Sequence, residues 1–156
     1  MIKPYNGAKA AKFSNREPLP RGAYVLQIVG AKVESYDCEL NVGGELIQLP
    51  VAIERKMDLD EMCLCSGKQR KRFEKELERA KEKGIELYLL VEKASWGKAY
   101  EGDYRSKLSA KSLVGSLLTW EKRYKMPVHY CEPEFAAIHI RDILHYAARE
   151  WLSNAE

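Results

Sequence analysis

No run of the 156-residue chain approaches the roughly 18 consecutive apolar residues of a membrane span, and its N-terminus has no apolar signal-peptide core. A soluble, cytoplasmic protein without membrane association is the expectation. Cysteine is scarce. Cys38, Cys63, Cys65 and Cys131 are too few and too irregular for a disulfide framework, and Cys63-x-Cys65 lacks the second ligand pair of a zinc site. A glycine-rich phosphate loop, a G-x-S-x-G elbow and paired histidines at ligand spacing are all missing, so His129, His139 and His145 read as structural or exposed. A large surplus of one charge is missing too. The chain has 26 Lys and Arg against 23 acidic residues, and its net charge of +3 is too small to coat phosphates. Any nucleic-acid contact must come from a local basic patch.

What the chain does have is material for one core, at 46% hydrophobic and 31% charged residues. Residues 1–21 carry Lys3, Lys9, Lys12 and Arg16 with Pro18 and Pro20, and read as a basic extended arm ahead of a single domain over 22–156. Ala23 to Val29 is rich in strand formers. From Val33 the pattern alternates, with Tyr36, Cys38, Leu40 and Val42 on one side and Ser35, Asp37, Glu39 and Asn41 on the other. Gly43-Gly44 signals a hairpin into Glu45–Glu54, where Pro50 suggests a break or a short edge.

The periodicity then turns helical. Phe73, Leu77 and Ala80 line one face, Ser66-Gly67-Lys68-Gln69 supplies a capping box, and Gly84 ends the helix. Leu87–Val91 reads as a buried strand. Ser109 precedes a helix with Leu113, Leu117, Trp120 and Tyr124 on one stripe; Val128–Cys131 is a further strand; Pro133 opens a last helix carrying Leu144, Ala147 and Trp151. Hairpin, helix, strand, helix, strand, helix imply an α/β fold: a mixed central sheet, parallel in its second half, flanked by helices.

A strand ending in Glu54-Arg55-Lys56 puts Glu54 and Lys56 on one face and Arg55 on the other. A carboxylate suits a hard cation such as Mg2+, and a neighbouring ammonium can offset charge on a phosphate, which is phosphodiester-cleaving chemistry. A solvated strand end explains the bare triplet as well. Lys68, Arg70, Lys71 and Arg72 form the densest basic cluster, either a DNA-phosphate contact or a solvated helix face. Trp96 and Tyr100 fall in a loop, to stack on a base or pack on the core.

The segment Val51-Ala52-Ile53-Glu54-Arg55-Lys56-Met57-Asp58-Leu59-Asp60 resembles the E-R-K-x-x-x-D signature of XPF-type nucleases. The likeness continues through Arg70-x-Arg72-Phe73, Leu87–Glu92, Ala94-Ser95-Trp96 and Lys107–Tyr124, similar to single-domain members from phages and mobile elements, and spans roughly Tyr36 to Trp151. It implies a restriction-endonuclease-like fold and a Mg2+- or Mn2+-dependent endonuclease for branched, flapped or otherwise structured DNA. Glu54 would be the metal ligand, Lys56 the catalytic cation, and Arg55 and Asp60 supports. It also implies a homodimer through the helix from Pro133 to Trp151.

Two departures stand out. The family's D-x-R-E strand is absent, and Ser35 occupies the place of the aspartate in its Gly-Asp-Tyr. Asp37, two residues on along the same strand face, is either a shifted second metal ligand or a solvent-facing residue. Met1 to about Val33, with Tyr5-Asn6-Gly7 and Arg16–Val25, resembles the opening of small phage single-stranded-DNA-binding proteins. The alternative function is therefore a nuclease fold that no longer cuts but binds DNA, or a host or phage protein, for instance to block a host defence nuclease.

Overall fold

The computed structural model describes residues 25–32, 35–42 and 45–154. The basic arm and the Gly43-Gly44 turn lie outside them. One five-stranded sheet has the order β1 (Val25–Lys32), β2 (Ser35–Val42), β3 (Glu45–Lys56), β4 (Glu86–Glu92), β5 (Val128–Cys131). The first three strands form an antiparallel meander, while β4 runs parallel to β3 and β5 parallel to β4. The sheet is thus mixed, with its parallel half second, as the alternation of strands and helices requires.

Pro50 does not end the strand. β3 runs unbroken for 12 residues, and the proline falls inside a ladder irregularity, since Asp37 pairs with Ala52 but Glu39 pairs with Gln48. A residue without an N–H is tolerated where the ladder is already interrupted.

Alternation along the parallel strands separates two cores. Leu89 and Val91 of β4 pack beneath α1 (Leu59–Ser66), α2 (Arg70–Glu82) and α4 (Ala110–Tyr124), together with Met62, Phe73, Leu77, Leu113, Leu117 and Trp120. On the opposite face Leu90, with Val51 and Ile53 of β3, packs beneath α5 (Pro133–Ser153) through Ala136, Ile140, Leu144 and Ala148. Each fully buried Leu or Ile contributes about 1.5–3 kcal/mol, so the two helical stripes hold the layers together. Trp120 is completely buried, has Phe73 edge-on at 5.0 Å between ring centroids, and satisfies its indole N–H by donating to Glu74 Oε1 at 3.0 Å.

The expected starts and stops hold at α4, where the Ser109 side chain accepts the Ser112 N–H, at α5, which opens on Pro133, and after α2, where Gly84 adopts φ +66°. The capping box does not hold. α2 is capped at Gln69 without any side-chain hydrogen bond, and Ser66 instead closes α1, a helix that periodicity did not reveal. Leu59, Met62, Cys63 and Cys65 are buried in α1, and Asp58 caps it by accepting the Glu61 N–H at 2.9 Å. Trp96 and Tyr100 also lie on a helix rather than a loop: α3 (Trp96–Glu101), capped by Ser95. Among the described residues no helix is long and apolar enough to cross a membrane.

Candidate active site

β3 finishes between the two cores, so its last residues alternate between them. Ile53 is buried under α5, while Lys56 points to the α1–α2 side, where its Nζ lies 5.6 Å from the centroid of the Phe73 ring. Lys56 is only 4% exposed, and its ammonium sits 2.6 Å from Glu54 Oε1 and 3.4 Å from Glu61 Oε1. Burial alone would favour the neutral amine. The hydrogen bond and negative charge of Glu54, helped by Glu61, more than offset this and hold the Lys56 pKa above its ordinary value. Beside the ammonium opens a cleft of about 200 Å3, lined by Lys56, Glu61, Cys65, Gln69, Arg72 and Phe73 among others.

Arg55 faces the other way, as strand alternation requires, and its Nε donates to Oε1 of the buried Glu92 at the end of β4. The pair ties β3 to β4 beneath α5. Asp60 does not turn to Lys56 either. Its carboxylate accepts Arg105 Nε at 3.0 Å and the Ser106 N–H at 2.8 Å, so it anchors the segment between α3 and α4. The Arg105 hydrogen bond, opposed by slight burial, holds the Asp60 pKa below its usual value. Besides Glu54, the carboxylate that reaches Lys56 is Glu61, which the sequence did not single out. Its signal was the pair Asp58 and Glu61, three apart at a helix start.

The basic cluster divides. Arg70 is built into the fold, donating to Ser116 Oγ at 2.8 Å, pairing with Glu74 at 3.0 Å and lying 5.3 Å over the Trp120 ring. Lys68 and Lys71 are exposed, and Arg72, paired with Glu76 at 3.2 Å, rims the cleft beside Lys56. The histidines are structural or exposed as expected. His129 on β5 and His139 on α5 share a hydrogen bond of 2.9 Å, and His145 is exposed.

On β2 the ladder sets Ser35 opposite Glu54 and Asp37 opposite Ala52. The side chains of Ser35 and Asp37 lie outside the described residues. Glu39 is half-buried and stands farther along, opposite Gln48. Among the described residues no group of three or more His, Cys, Asp or Glu side chains converges. Glu54 and Glu61 both turn Oε1 to the Lys56 ammonium, at 2.6 Å and 3.4 Å, so the point between their carboxylates is held by the lysine. A carboxylate of the Glu54 kind is the hard donor that an ion such as Mg2+ takes, one or two at a time with much of its water kept.

A family model described as the ERCC4 domain matches residues 13–140. No curated protein and no solved structure matches the chain.

Proposed function

Because the chain belongs to the ERCC4-domain family of XPF-type nucleases, we propose that it is a divalent-metal-dependent endonuclease for branched or flapped DNA. The family carries a restriction-endonuclease-like core and has DNA as its partner. The observation that supports the finer reading best is the Glu54–Lys56 pair: a buried ammonium 2.6 Å from a carboxylate, at the end of the central strand and beside an open cleft. A charge held in so dry a position acts on a neighbouring phosphate with far less screening than a surface lysine would.

Glu54 is the proposed ligand for Mg2+ or Mn2+, with Asp37 on β2 as its partner in place of the family's aspartate. A divalent ion supplies a water of lowered pKa and a Lewis acid for the phosphoryl oxygens. Lys56 offsets the charge that develops on the phosphate. Arg55 supports the strand end from the opposite face through Glu92, and Asp60 supports it by anchoring Arg105 and Ser106. Lys68, Lys71 and Arg72 contact flanking phosphates, while Arg70 acts through the packing that holds α2 in place.

We extend the reading to a homodimer formed through α5, which leaves Phe135, Ile138 and Tyr146 exposed. Sedimentation should then show two chains per particle. The main test is cleavage of flap and junction DNA with Mg2+, Mn2+ or EDTA by the parent, Glu54→Ala and Lys56→Ala proteins. Metal-dependent cutting lost in both variants supports the assignment. Cutting by Glu54→Ala at the parental rate removes it, and no cutting by any form, with no metal bound, favours a binding module.

A further inference from the structure

Among the described residues the Lys56 ammonium has two carboxylate neighbours, and only one of them belongs to the strand motif. Glu61 approaches from α1, and its geometry is over-determined. Its Oε2 accepts the Met57 N–H at 2.8 Å, its Oε1 lies 3.4 Å from Lys56 Nζ, and its own N–H donates to Asp58 Oδ1 at 2.9 Å. One carboxylate therefore bridges the ammonium of Lys56 and the backbone of the next residue. It is fixed by the first turn of a helix that is buried along Leu59, Met62 and Cys63. Glu54 is the residue that the nuclease reading asks to turn its oxygens to a cation.

We infer that Glu61 is the positioning residue of Lys56, holding the ammonium in place when Glu54 is engaged as a ligand. The inference rests on the nuclease reading for its purpose, but on the Glu61 contacts for its substance. A buried ammonium stripped of its only anion would swing out or draw the carboxylate back. With Glu54 as sole partner, catalysis and lysine placement would compete for one carboxylate. With Glu61 present, Lys56 keeps an anion on the helix side while its remaining N–H donors face the cleft, where Arg72 and Gln69 also stand. The bond to the Met57 N–H makes the arrangement stiff, because Glu61 cannot follow Lys56 outward without releasing the strand end. Asp60, its sequence neighbour, cannot substitute, since both of its oxygens are spent on Arg105 and Ser106.

The test compares Glu61→Gln, Glu61→Asp, Glu54→Gln and the Glu54→Gln/Glu61→Gln double variant with the parent. Gln at 61 still accepts the Met57 N–H but offers no anion, and an exposed control, Glu78→Gln, reports non-specific effects. The first readout is the 15N–1H signal of the Lys56 ammonium, assigned by its loss in Lys56→Arg, which is visible only while the group is held and exchanges slowly with water. The signal should survive in Glu54→Gln, where Glu61 alone holds the ammonium, and vanish in the double variant. The second readout is steady-state cleavage of flap DNA. Glu61→Gln should lower kcat about tenfold with KM within about twofold, and Glu61→Asp should recover part of the loss, as expected when a group acts in the transition state rather than in binding. An ammonium signal that disappears in Glu54→Gln alone overturns the inference. So does a Glu61→Gln protein that cuts like the parent, or one whose KM rises as far as kcat falls with no recovery in Glu61→Asp. If the parent cuts no DNA, the nuclease reading falls, and the ammonium signal by itself still decides whether Glu61 holds Lys56.

Discussion

Replacing Arg55 by alanine should destabilise the protein far more than its motif position beside a cleft would suggest. Arg55 pairs with Glu92 across β3 and β4, and the two side chains are 26% and 3% exposed respectively. An exposed ion pair adds about 0–1 kcal/mol, whereas removing one partner of a buried pair costs about 3–5 kcal/mol because the other charge stays buried. Water can reach Arg55 but not Glu92, which puts the Arg55→Ala cost between those limits, about 2–3 kcal/mol. The asymmetry has a direction. Glu92→Leu leaves behind a guanidinium that can still reach water and should cost less than Arg55→Ala. The Arg55→Met/Glu92→Leu pair, which removes both charges and keeps volume, should recover most of the loss. Urea unfolding followed by tryptophan fluorescence measures this, and with an m-value of about 1–3 kcal/mol per molar urea the Arg55→Ala midpoint should fall by about 1 M. A midpoint within about 0.3 M of the parent, or a larger loss in Glu92→Leu than in Arg55→Ala, would refute the reasoning.

Three further outcomes follow from the same structure. Burial, and then the nearby His139, lower the His129 pKa, with Glu121 opposing; the fold therefore favours neutral imidazole, and this contribution to stability is full above the unfolded value near 6.5 and lost as the pH falls below it. His129→Phe should flatten that part of a stability-versus-pH curve, and an unchanged slope between pH about 5 and 7 would contradict it. Burial also raises the Cys63 thiol and pushes Cys65 up to about 11, with Lys56 opposing the shift at Cys65, so both should resist alkylation at neutral pH until the protein unfolds; rapid labelling of native Cys65, mapped by mass spectrometry, would overturn this. Finally, Ser35→Asp puts a carboxylate opposite Glu54 in the ladder, so it should tighten Mn2+ binding and raise cleavage, while Asp37→Ala should abolish remaining activity. Calorimetry showing no gain in Mn2+ affinity for Ser35→Asp would count against that site.

Much of the architecture was legible because one-sided burial imprints a period. The Leu113, Leu117, Trp120 stripe reports a helix face that meets the core, the apolar run at Leu87–Val91 reports a strand whose residues enter both cores, and Ser35–Val42 alternates as the strand that it forms. The elements that were missed are the ones too short to show a period: α1 has eight residues and α3 six. Their caps were present in the sequence, Asp58 before Leu59 and Ser95 before Trp96, but a capping residue is informative only when a periodic run follows it. Reading Ser66 as the start of α2 was the consequence, since the buried Cys65 and Ser66 that close one helix look the same in sequence as the lead-in to another.

The candidate site was half legible for a related reason. Strand alternation alone separates Glu54 and Lys56 from Arg55, and the partners found for Lys56 and Arg55 lie on opposite faces of the sheet. Beyond Lys56 the chain stops being a strand, so the alternation rule that would group Lys56, Asp58 and Asp60 on one face no longer holds. From Leu59 onward successive residues turn by about 100° around a helix, which sends Asp60 to Arg105 and Ser106 and brings Glu61 back to Lys56. A spacing motif records that an acidic residue recurs four positions after the lysine; it carries no information on where that residue points. The helix-side partner of Lys56 is decided by where the helix begins, and here that is set by Asp58, the one residue of the segment whose side chain closes a backbone bond to Glu61 itself.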